Sequence, residues 1–253
     1  MLSVRNRVLA ALLVAAPAAG ILVGSPAQAV TTSTITVKSV SVSPSSLTLG
    51  TAKCASVAFS ATLSDVLPTD GYAYTGVGVD VYAPGAGDDD DTVASVEFAQ
   101  VGSTATYKGT TKICGKSGAG KFEALVYGVL VPTTATTDDD FEMTNIVTKT
   151  ITVKRPSTLS LNASPEPVKK GKKLTAKGTL KIDGKVLSGA SVKIYFQASG
   201  SKTWTLKGTA TTSSKGVYTK KFTATKTGTW KAVYAGTATK VSASATDAVK
   251  VTK

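Results

Sequence analysis

A nine-residue pattern occurs twice in this chain, 108 residues apart. The copies read G-K-F-E-A-L-V-Y-G over Gly120–Gly128 and G-T-W-K-A-V-Y-A-G over Gly228–Gly236. Upstream of each copy, a proline and a glycine lie six residues apart, over Pro44–Gly50 and again over Pro165–Gly171. Because both features recur in the same order, we interpret the chain as one module that is repeated twice.

The residues around these landmarks are typical of short β-strands joined by turns. Helix-favouring residues are few, and apolar residues alternate with Thr, Ser and Lys. The predicted strands include A at Ile35–Val42, B at Cys54–Leu63 and C at Val79–Tyr82, and, in the second copy, B at Leu174–Ile182 and C at Val192–Tyr195. About seven strands per copy predict an all-β fold: two consecutive immunoglobulin-like antiparallel β-sandwich domains with almost no helix.

The repeated stretch is the predicted strand F of each sandwich. Its aromatic residue, Phe122 or Trp230, is expected in the core, and its flanking glycines are expected in turns. Four aromatic residues are either core and edge residues or parts of a sugar-stacking platform: Trp204, Trp230, Tyr218 and Tyr234. Among them, Trp204 is the best candidate for exposure.

The first 29 residues have the layout of a secretory signal peptide. Two arginines precede an apolar run over residues 8–24, and Ser25–Ala29 ends in the small-residue pattern A-x-A. The run is interrupted by Pro17 and is shorter than the ~20 residues that span a bilayer. We therefore expect cleavage after Ala29, secretion of the remaining 224 residues with association with the cell wall, and no membrane span in them.

Net charge divides the mature chain into domains 30–154 and 155–253, because its sign changes at the point where the repeat copy changes. Residues 30–154 have eight lysines against thirteen Asp and Glu residues, a net charge of −5. Residues 155–253 have nineteen Lys and Arg residues against three acidic ones, a net charge of +16. Either these lysines solvate strand faces and prevent aggregation, or the basic domain binds a polyanion. For the second interpretation we expect an anionic cell-wall polymer or surface glycan, and no nucleic acid, at Lys169, Lys170, Lys172, Lys173, Lys220 and Lys221.

The two cysteines, Cys54 and Cys114, belong to a chain that is expected to be exported, a setting in which disulfides form. Cys54 begins predicted strand B, and Cys114 follows predicted strand E at Thr104–Ile113. Strands B and E are antiparallel neighbours in this kind of sandwich, so the start of one meets the end of the other. We therefore predict a Cys54–Cys114 disulfide.

Two acidic runs lie in predicted loops of the first domain, one after strand C and one after strand F. Ca²⁺ takes six to eight oxygen ligands, which clustered carboxylates can provide, so Ca²⁺ is the one candidate cofactor. Neither run has EF-hand spacing, and the two loops are expected at opposite ends of the sandwich. The runs are therefore either solvated loop tips or calcium ligands, and the candidate ligands are Asp88, Asp89, Asp90, Asp91, Asp138, Asp139, Asp140 and Glu142.

Catalytic patterns are missing from the sequence. There is no histidine, which excludes Ser-His and Cys-His dyads and removes the commonest general base and metal ligand. The segment Gly115–Lys121 resembles a phosphate-binding loop, but Phe122 stands where that loop needs Ser or Thr, and we interpret the segment as a hairpin turn. We predict a protein without enzymatic activity.

The second domain resembles the bacterial Ig-like domains near the C-terminus of exported actinobacterial proteins. The resemblance rests on three segments, L-S-L-N-A-S-P-E-P-V-K-K-G-K-K-L-T-A-K-G-T-L over Leu159–Leu180, S-S-K-G-V-Y over Ser213–Tyr218 and G-T-W-K-A-V-Y-A-G-T over Gly228–Thr237. It implies a small secreted or wall-associated binding or structural module at the cell surface. Residues 30–154 resemble this family only in layout.

Overall fold

A computed structural model describes residues 31–86, 92–135 and 141–253. The predicted signal peptide lies outside the described residues. The chain divides after Val153 into two compact units, and the second unit, Lys154–Lys253, also includes Thr48–Thr51. This division falls one residue from the boundary that the charge pattern predicts.

Both units consist of β-strands, which confirms the predicted all-β class. Within the described residues the only helical segment is a 3₁₀ turn at Gly115–Ser117, and no helix there is long and apolar enough to cross a membrane. The strands, numbered in chain order, are β1 Thr31–Thr32, β2 Val37–Ser43, β3 Ser46–Thr48, β4 Cys54–Leu63, β5 Tyr72–Tyr82, β6 Thr92–Glu97, β7 Ala99–Gln100, β8 Thr106–Cys114, β9 Gly120–Pro132, β10 Glu142–Met143, β11 Val147–Lys154, β12 Ser157–Leu159, β13 Asn162–Ser164, β14 Val168–Lys169, β15 Lys173–Ile182, β16 Lys185–Val186, β17 Ser191–Ala198, β18 Thr205–Thr211, β19 Val217–Thr223, β20 Gly228–Tyr234, β21 Ala243–Val249 and β22 Val251–Thr252.

The first unit is a sandwich of two sheets with a shared apolar core. One sheet has the order β2-β4-β8-β7, and the other is built on β5, β9 and β11, with β6, β3, β10 and β1 paired around them. Inward-facing residues alternate along each strand, as with Val77, Val79 and Val81 of β5, and Phe59 and Phe122 fill the same core. The pairing of β4 with β8 and of β5 with β9 is that of strands B with E and C with F in an Ig-like sandwich.

A disulfide joins Cys54 to Cys114, as the sequence predicts. The two residues lie directly opposite each other on β4 and β8, with 4.0 Å between their Cα atoms. Because Cys54 begins β4 and Cys114 ends β8, the bond ties one end of this strand pair and closes a loop of 60 residues.

The second unit repeats the architecture around a tryptophan. One sheet pairs β13, β15 and β19, the other has the order β18-β17-β20-β21, and the parallel pair β14–β22 lies beside them. Trp230 of β20 is 4% exposed, as expected for a core residue. Its ring packs 5.0 Å from that of Phe196 in its own sheet and 4.5 Å from that of Phe222 in the facing sheet. Aromatic packing therefore joins the two layers.

The repeated stretch has the same register in both units, which supports its assignment to strand F. In the first unit Ala124 of β9 pairs with Val81 of β5, and in the second Ala232 of β20 pairs with Ile194 of β17. Ala124 and Ala232 are equivalent residues of the pattern, and Val81 and Ile194 are equivalent residues of strand C. The two copies therefore share their strand pairing as well as their sequence.

The glycines of this stretch do not all lie in turns, and that prediction was wrong for three of the four. Gly236 follows β20 with a φ of 78°, which favours glycine. However, Gly120, Gly128 and Gly228 belong to strands. A Cβ atom at Gly228 would collide with the neighbouring strand β17. Glycine is required there because two strands approach closely, and the chain does not reverse at that point.

The segment Gly115–Lys121 is not a hairpin turn, contrary to the sequence prediction. The strands on either side of it, β8 and β9, belong to different sheets. The segment therefore carries the chain across the sandwich through one 3₁₀ turn, and β9 begins at Gly120. A strand follows the glycines, whereas a phosphate-binding loop leads into a helix.

Candidate functional site

The outer face of the sheet formed by β13, β15 and β19 carries a regular set of lysines and threonines. Burial alternates along β15: the even-numbered residues from Leu174 to Leu180 point into the core, and the odd-numbered residues point outward. The outward residues of β19 lie in register beside them. We name this surface the lysine–threonine face; its members are Lys173, Thr175, Lys177, Thr179 and Lys181 of β15 and Thr219, Lys221 and Thr223 of β19.

Lysine and threonine alternate across the two strands as well as along β15. The register pairs are Lys173 with Thr223, Thr175 with Lys221, and Lys177 with Thr219. In one pair the ammonium group of Lys173 donates a hydrogen bond to Oγ1 of Thr223 at 2.9 Å. Because no two lysines of these strands stand directly opposite each other, the face concentrates positive charge without the least favourable like-charge contacts.

This arrangement suits an extended anion. Successive lysines of β15 are four residues apart, about 13 Å along the strand, and Lys221 projects between the first two from the neighbouring strand. The hydroxyl groups of Thr175, Thr179 and Thr219 have no hydrogen-bond partner among the described residues. They are therefore available to donate to a ligand between the ammonium groups.

None of the three carboxylates in the described second unit lies on this face. Asp247 accepts a hydrogen bond at 2.7 Å from the backbone N–H of Ala163, so it joins β21 to β13. Asp183 lies in the two-residue turn between β15 and β16, beyond Lys181. Glu166 lies in the connection between β13 and β14. The ammonium groups of the face are therefore left without carboxylate partners on it.

The structure brings only some of the predicted polyanion-binding residues together. Lys173 and Lys221 lie on the lysine–threonine face. Lys220 points to the other side of β19, where its side chain lies over Gly208 of β18. The remaining three predicted lysines are exposed around the connection that leads into β15; they are Lys169, Lys170 and Lys172.

Sequence reasoning missed Lys177 and Lys181, which complete the row on β15. The earlier selection followed lysines that are adjacent in the sequence, but adjacent residues of a strand project to opposite faces. The pattern K-x-T-x-K-x-T-x-K over Lys173–Lys181 has the period of two that a strand face requires. That period is the signal that would have found them.

The acidic runs proposed as calcium ligands, Asp88–Asp91 and Asp138–Asp140, lie outside the described residues. Their last candidate, Glu142, is half-buried on β10 opposite Leu130 of β9. Among the described residues no group of three or more His, Cys, Asp or Glu side chains is placed to hold a metal ion. The register of β5 on β9 sends the connections after strands C and F from opposite ends of the sheet. Calcium binding stays a prediction.

A buried carboxyl group lies on the outer side of β5 in the first unit. Asp80 is 6% exposed, and its Oδ2 accepts a hydrogen bond from the hydroxyl of Tyr127 on β9 at 2.6 Å. Burial and the adjacent Asp80 raise the pKa of Tyr127 well above its usual range. Nearby, burial and a hydrogen bond to Glu97 raise the pKa of Tyr74 to about 12. These phenols stay protonated and join neighbouring strands of the sheet.

The aromatic residues considered for sugar stacking are mostly part of the core. Tyr218 and Tyr234 are 0% and 5% exposed, and Trp230 is buried between two phenylalanines. Trp204 is half-buried, with the ammonium group of Lys231 5.3 Å from its ring centroid. A shared aromatic platform therefore does not form, and the expectation that Trp204 is the most accessible of the four agrees with the structure.

A shallow cleft of about 560 Å³ lies at one end of the second unit. Its lining includes Glu166, Gln197, Gly200, Gly228 and Lys250. Glu166 is the one carboxylate among the lining residues. Glycoside hydrolysis by two facing carboxylates therefore has no support in this cleft.

Comparison with protein families and with curated proteins produced no match. Solved structures with low similarity include superoxide reductase (neelaredoxin) from Ignicoccus hospitalis, at 17% identity, a TM-score of 0.29, and coverage of 38% of this chain and 80% of that one. The fibronectin(III)-like modules of Clostridium thermocellum CbhA match at 16% identity, with a TM-score of 0.29 over 84% of this chain and 95% of theirs. The Escherichia coli adhesin FdeC matches at 18% identity, with a TM-score of 0.33 over 85% of this chain and 64% of its own.

Proposed function

We propose that this chain is an exported, non-enzymatic surface module whose second unit binds an anionic cell-wall polymer through the lysine–threonine face. The observation that carries the proposal is a sheet face with four lysines and no carboxylate in the described structure. Export is supported by the signal-peptide pattern of residues 1–29. The net charge of +16 over residues 155–253 adds long-range attraction for a polyanion.

The positions of the lysines support a polyanion-binding surface more than a strand face whose lysines only keep the domain soluble. Lysines placed only for solubility need no common register, whereas these four lie on two adjacent strands of one sheet face. Three threonines of the same face, Thr175, Thr179 and Thr219, have hydroxyls without a hydrogen-bond partner among the described residues. Together the groups can contact an extended polyanion at several points, and such contacts give a binding constant that falls with salt.

The test uses the full secreted chain and insoluble cell-wall sacculi, before and after removal of their phosphate polymers with hydrofluoric acid. Binding is measured by co-sedimentation over a range of salt concentrations. We expect binding to the untreated sacculi only, with a log–log salt slope of about −3 to −4 if four lysines each neutralise one anionic group. Replacement of Lys177, Lys181 and Lys221 by Gln should flatten the slope by about 3.

A charge-matched control replaces Lys193, Lys202 and Lys207 by Gln, because these exposed lysines lie on or between β17 and β18, in the other sheet. This variant has the same net charge but an intact lysine–threonine face, so it should keep most of the binding. Equal losses in the two triple variants would show that net charge alone drives binding. Equal binding to treated and untreated sacculi would overturn the proposal.

A further inference from the structure

The spacing of the lysine–threonine face selects among anionic polymers. Side chains on one face of a strand repeat at about 6.6 Å, twice the rise per residue. Over Lys173–Lys181 each such step presents a lysine or a threonine in strict alternation. A polymer lying along β15 therefore meets a hydrogen-bond donor every ~6.6 Å, and every second donor is charged.

The two residue types contribute differently to recognition. A lysine ammonium sits on a flexible four-carbon chain and moves by several ångströms, so lysines supply charge without a fixed position. Threonine is branched at Cβ and has one side-chain torsion, so its hydroxyl is held close to the backbone. Thr175 and Thr179 are both half-buried, and their hydroxyls have no hydrogen-bond partner within the part of the chain that the structure describes. These two threonines therefore set the register of this row.

An extended chain advances about 3.3–3.6 Å for every three backbone bonds. A phosphodiester chain with three carbons between phosphates has six backbone bonds per repeat, and its charges therefore recur at about 7 Å. A polyphosphate chain has two bonds per repeat and a much shorter spacing, while a five-carbon linker gives a longer one. Polyglutamate carries its charges on flexible side chains, so its backbone does not fix their spacing.

We propose that the lysine–threonine face binds a linear phosphodiester polymer with three carbons between successive phosphates, laid along β15. Phosphates then contact Lys173, Thr175, Lys177, Thr179 and Lys181 in turn, and Lys221 approaches from β19. This inference rests on the proposed function and narrows its ligand class.

The experiment compares oligomers with twelve charges each, bound to the full chain and measured by fluorescence anisotropy at one salt concentration. The probes are oligo(glycerol phosphate), an oligo(pentanediol phosphate) with five-carbon linkers, linear oligophosphate and oligoglutamate. We expect oligo(glycerol phosphate) to bind about tenfold more tightly than the others, because two additional hydroxyl–phosphate hydrogen bonds are formed in register.

Two variants separate the contribution of the lysine charges to affinity from the contribution of the threonine hydroxyls to selectivity. Thr175→Val with Thr179→Val keeps the shape and all lysines, and should remove the preference for the three-carbon oligomer while the other affinities stay the same. Lys177→Gln should weaken binding of all four probes. Tryptophan fluorescence verifies that each variant is folded. The comparison of the four probes on the unchanged protein tests the selectivity even if a variant fails to fold.

The outcomes distinguish this inference from the proposed function. Equal binding of all four oligomers would overturn the three-carbon selectivity and leave polyanion binding intact. Tighter binding of the five-carbon oligomer, oligophosphate or oligoglutamate would overturn it in the same way. Failure to bind any of them, together with failure on untreated sacculi, would overturn both.

Discussion

The two units use the same position of the strand ladder in different ways. In the first unit the opening residue of β4 and the closing residue of β8 are Cys54 and Cys114, joined by a disulfide. In the second, the opening residue of β15 and the closing residue of β19 are Lys173 and Thr223, joined by one hydrogen bond. The comparison separates two uses of one position: a covalent tie in the acidic unit, and the first lysine of the lysine–threonine face in the basic unit.

A second pair of equivalent positions differs in how the core is filled. On β4 and β8 the large residue Phe59 lies opposite Gly109, whereas on β15 and β19 Gly178 lies opposite the large residue Tyr218. The large residue has moved from strand B to strand E, and glycine has moved the other way. Each unit therefore keeps one large and one small residue across this strand pair, as close packing requires.

The largest effect is expected from removing the covalent tie. Cys54→Ser with Cys114→Ser should lower the free energy of unfolding of the first unit by about 4 kcal/mol, because the closed loop spans 60 residues. Hydrogen exchange with mass spectrometry on the full chain measures this from peptides of β4 and β8. Peptides of β15 and β19 serve as the internal control and should keep their protection. A loss below about 1 kcal/mol would show that the disulfide is dispensable.

These differences also show what the sequence could and could not reveal. The disulfide followed from Cys54 at the start of one predicted strand and Cys114 at the end of its neighbour, which needs only strand order. Lys177 and Lys181 were overlooked because grouping lysines by sequence adjacency ignores the period of two in a strand. The Asp80–Tyr127 hydrogen bond depends on the register of β5 on β9, which alternation within one strand does not determine.

The glycine predictions failed for a related reason. A glycine in a sequence indicates either a turn or a close approach, and only the neighbouring strand decides between them. Gly236 lies in a left-handed conformation, while Gly228 lies against β17. Likewise, Gly115–Lys121 was predicted to reverse the chain within one sheet, but it crosses between sheets, a distinction that depends on the packing of both layers.

Replacing the glycine of this strand pair by alanine should lower the free energy of unfolding more in the second unit, at Gly178, than in the first, at Gly109. A Cβ at Gly178 would collide with the backbone carbonyl oxygen of Ser160 and with the Tyr218 hydroxyl, so Gly178→Ala should cost about 3 kcal/mol. The three atoms nearest to a Cβ at Gly109 all belong to the ring of Phe98, and a side chain yields more readily than backbone, so Gly109→Ala should cost about 1 kcal/mol.

The measurement follows each unit by its own signal. Both tryptophans of the chain, Trp204 and Trp230, belong to the second unit, so their fluorescence in a urea titration reports on Gly178→Ala. Hydrogen exchange of β4 and β8 reports on Gly109→Ala. Equal costs in the two units would contradict the distinction between a backbone and a side-chain obstacle.

Each unit also has a buried tyrosine with a raised pKa, and replacing one of them should change stability less than Gly178→Ala does. Burial raises the pKa of Tyr218, and the pKa of Tyr127 is raised by burial and further by Asp80. Tyr127→Phe leaves the buried Asp80 without this hydrogen bond and should cost about 2 kcal/mol near neutral pH. The measurement is hydrogen exchange of β5 and β9, with Tyr72→Phe, a change at a half-buried tyrosine of β5, as the control.

The pH dependence follows from the direction of the shift. The folded unit favours the neutral phenol of Tyr127, so its contribution to stability is complete below the unfolded tyrosine pKa of about 10 and is lost as pH rises above that value. Tyr127→Phe cannot ionise at this position, and its stability should therefore fall less steeply above pH 10 than that of the unchanged protein. Parallel curves for the two proteins would show that Tyr127 ionises as easily in the folded unit as in the unfolded chain.

The smallest effect on stability is expected at Lys173, although it occupies the position equivalent to Cys54. Its hydrogen bond to Thr223 is exposed to water, so Lys173→Gln should change the free energy of unfolding by less than about 0.5 kcal/mol. Tryptophan fluorescence in urea measures this, with Lys193→Gln on the exposed side of β17 as the control. The same variant should reduce the salt slope of polymer binding by about 1, which the control should not do. If Lys173→Gln instead destabilised the second unit by several kcal/mol and left the salt slope unchanged, Lys173 would stabilise the strand pair as the disulfide does, and it would not belong to the binding face.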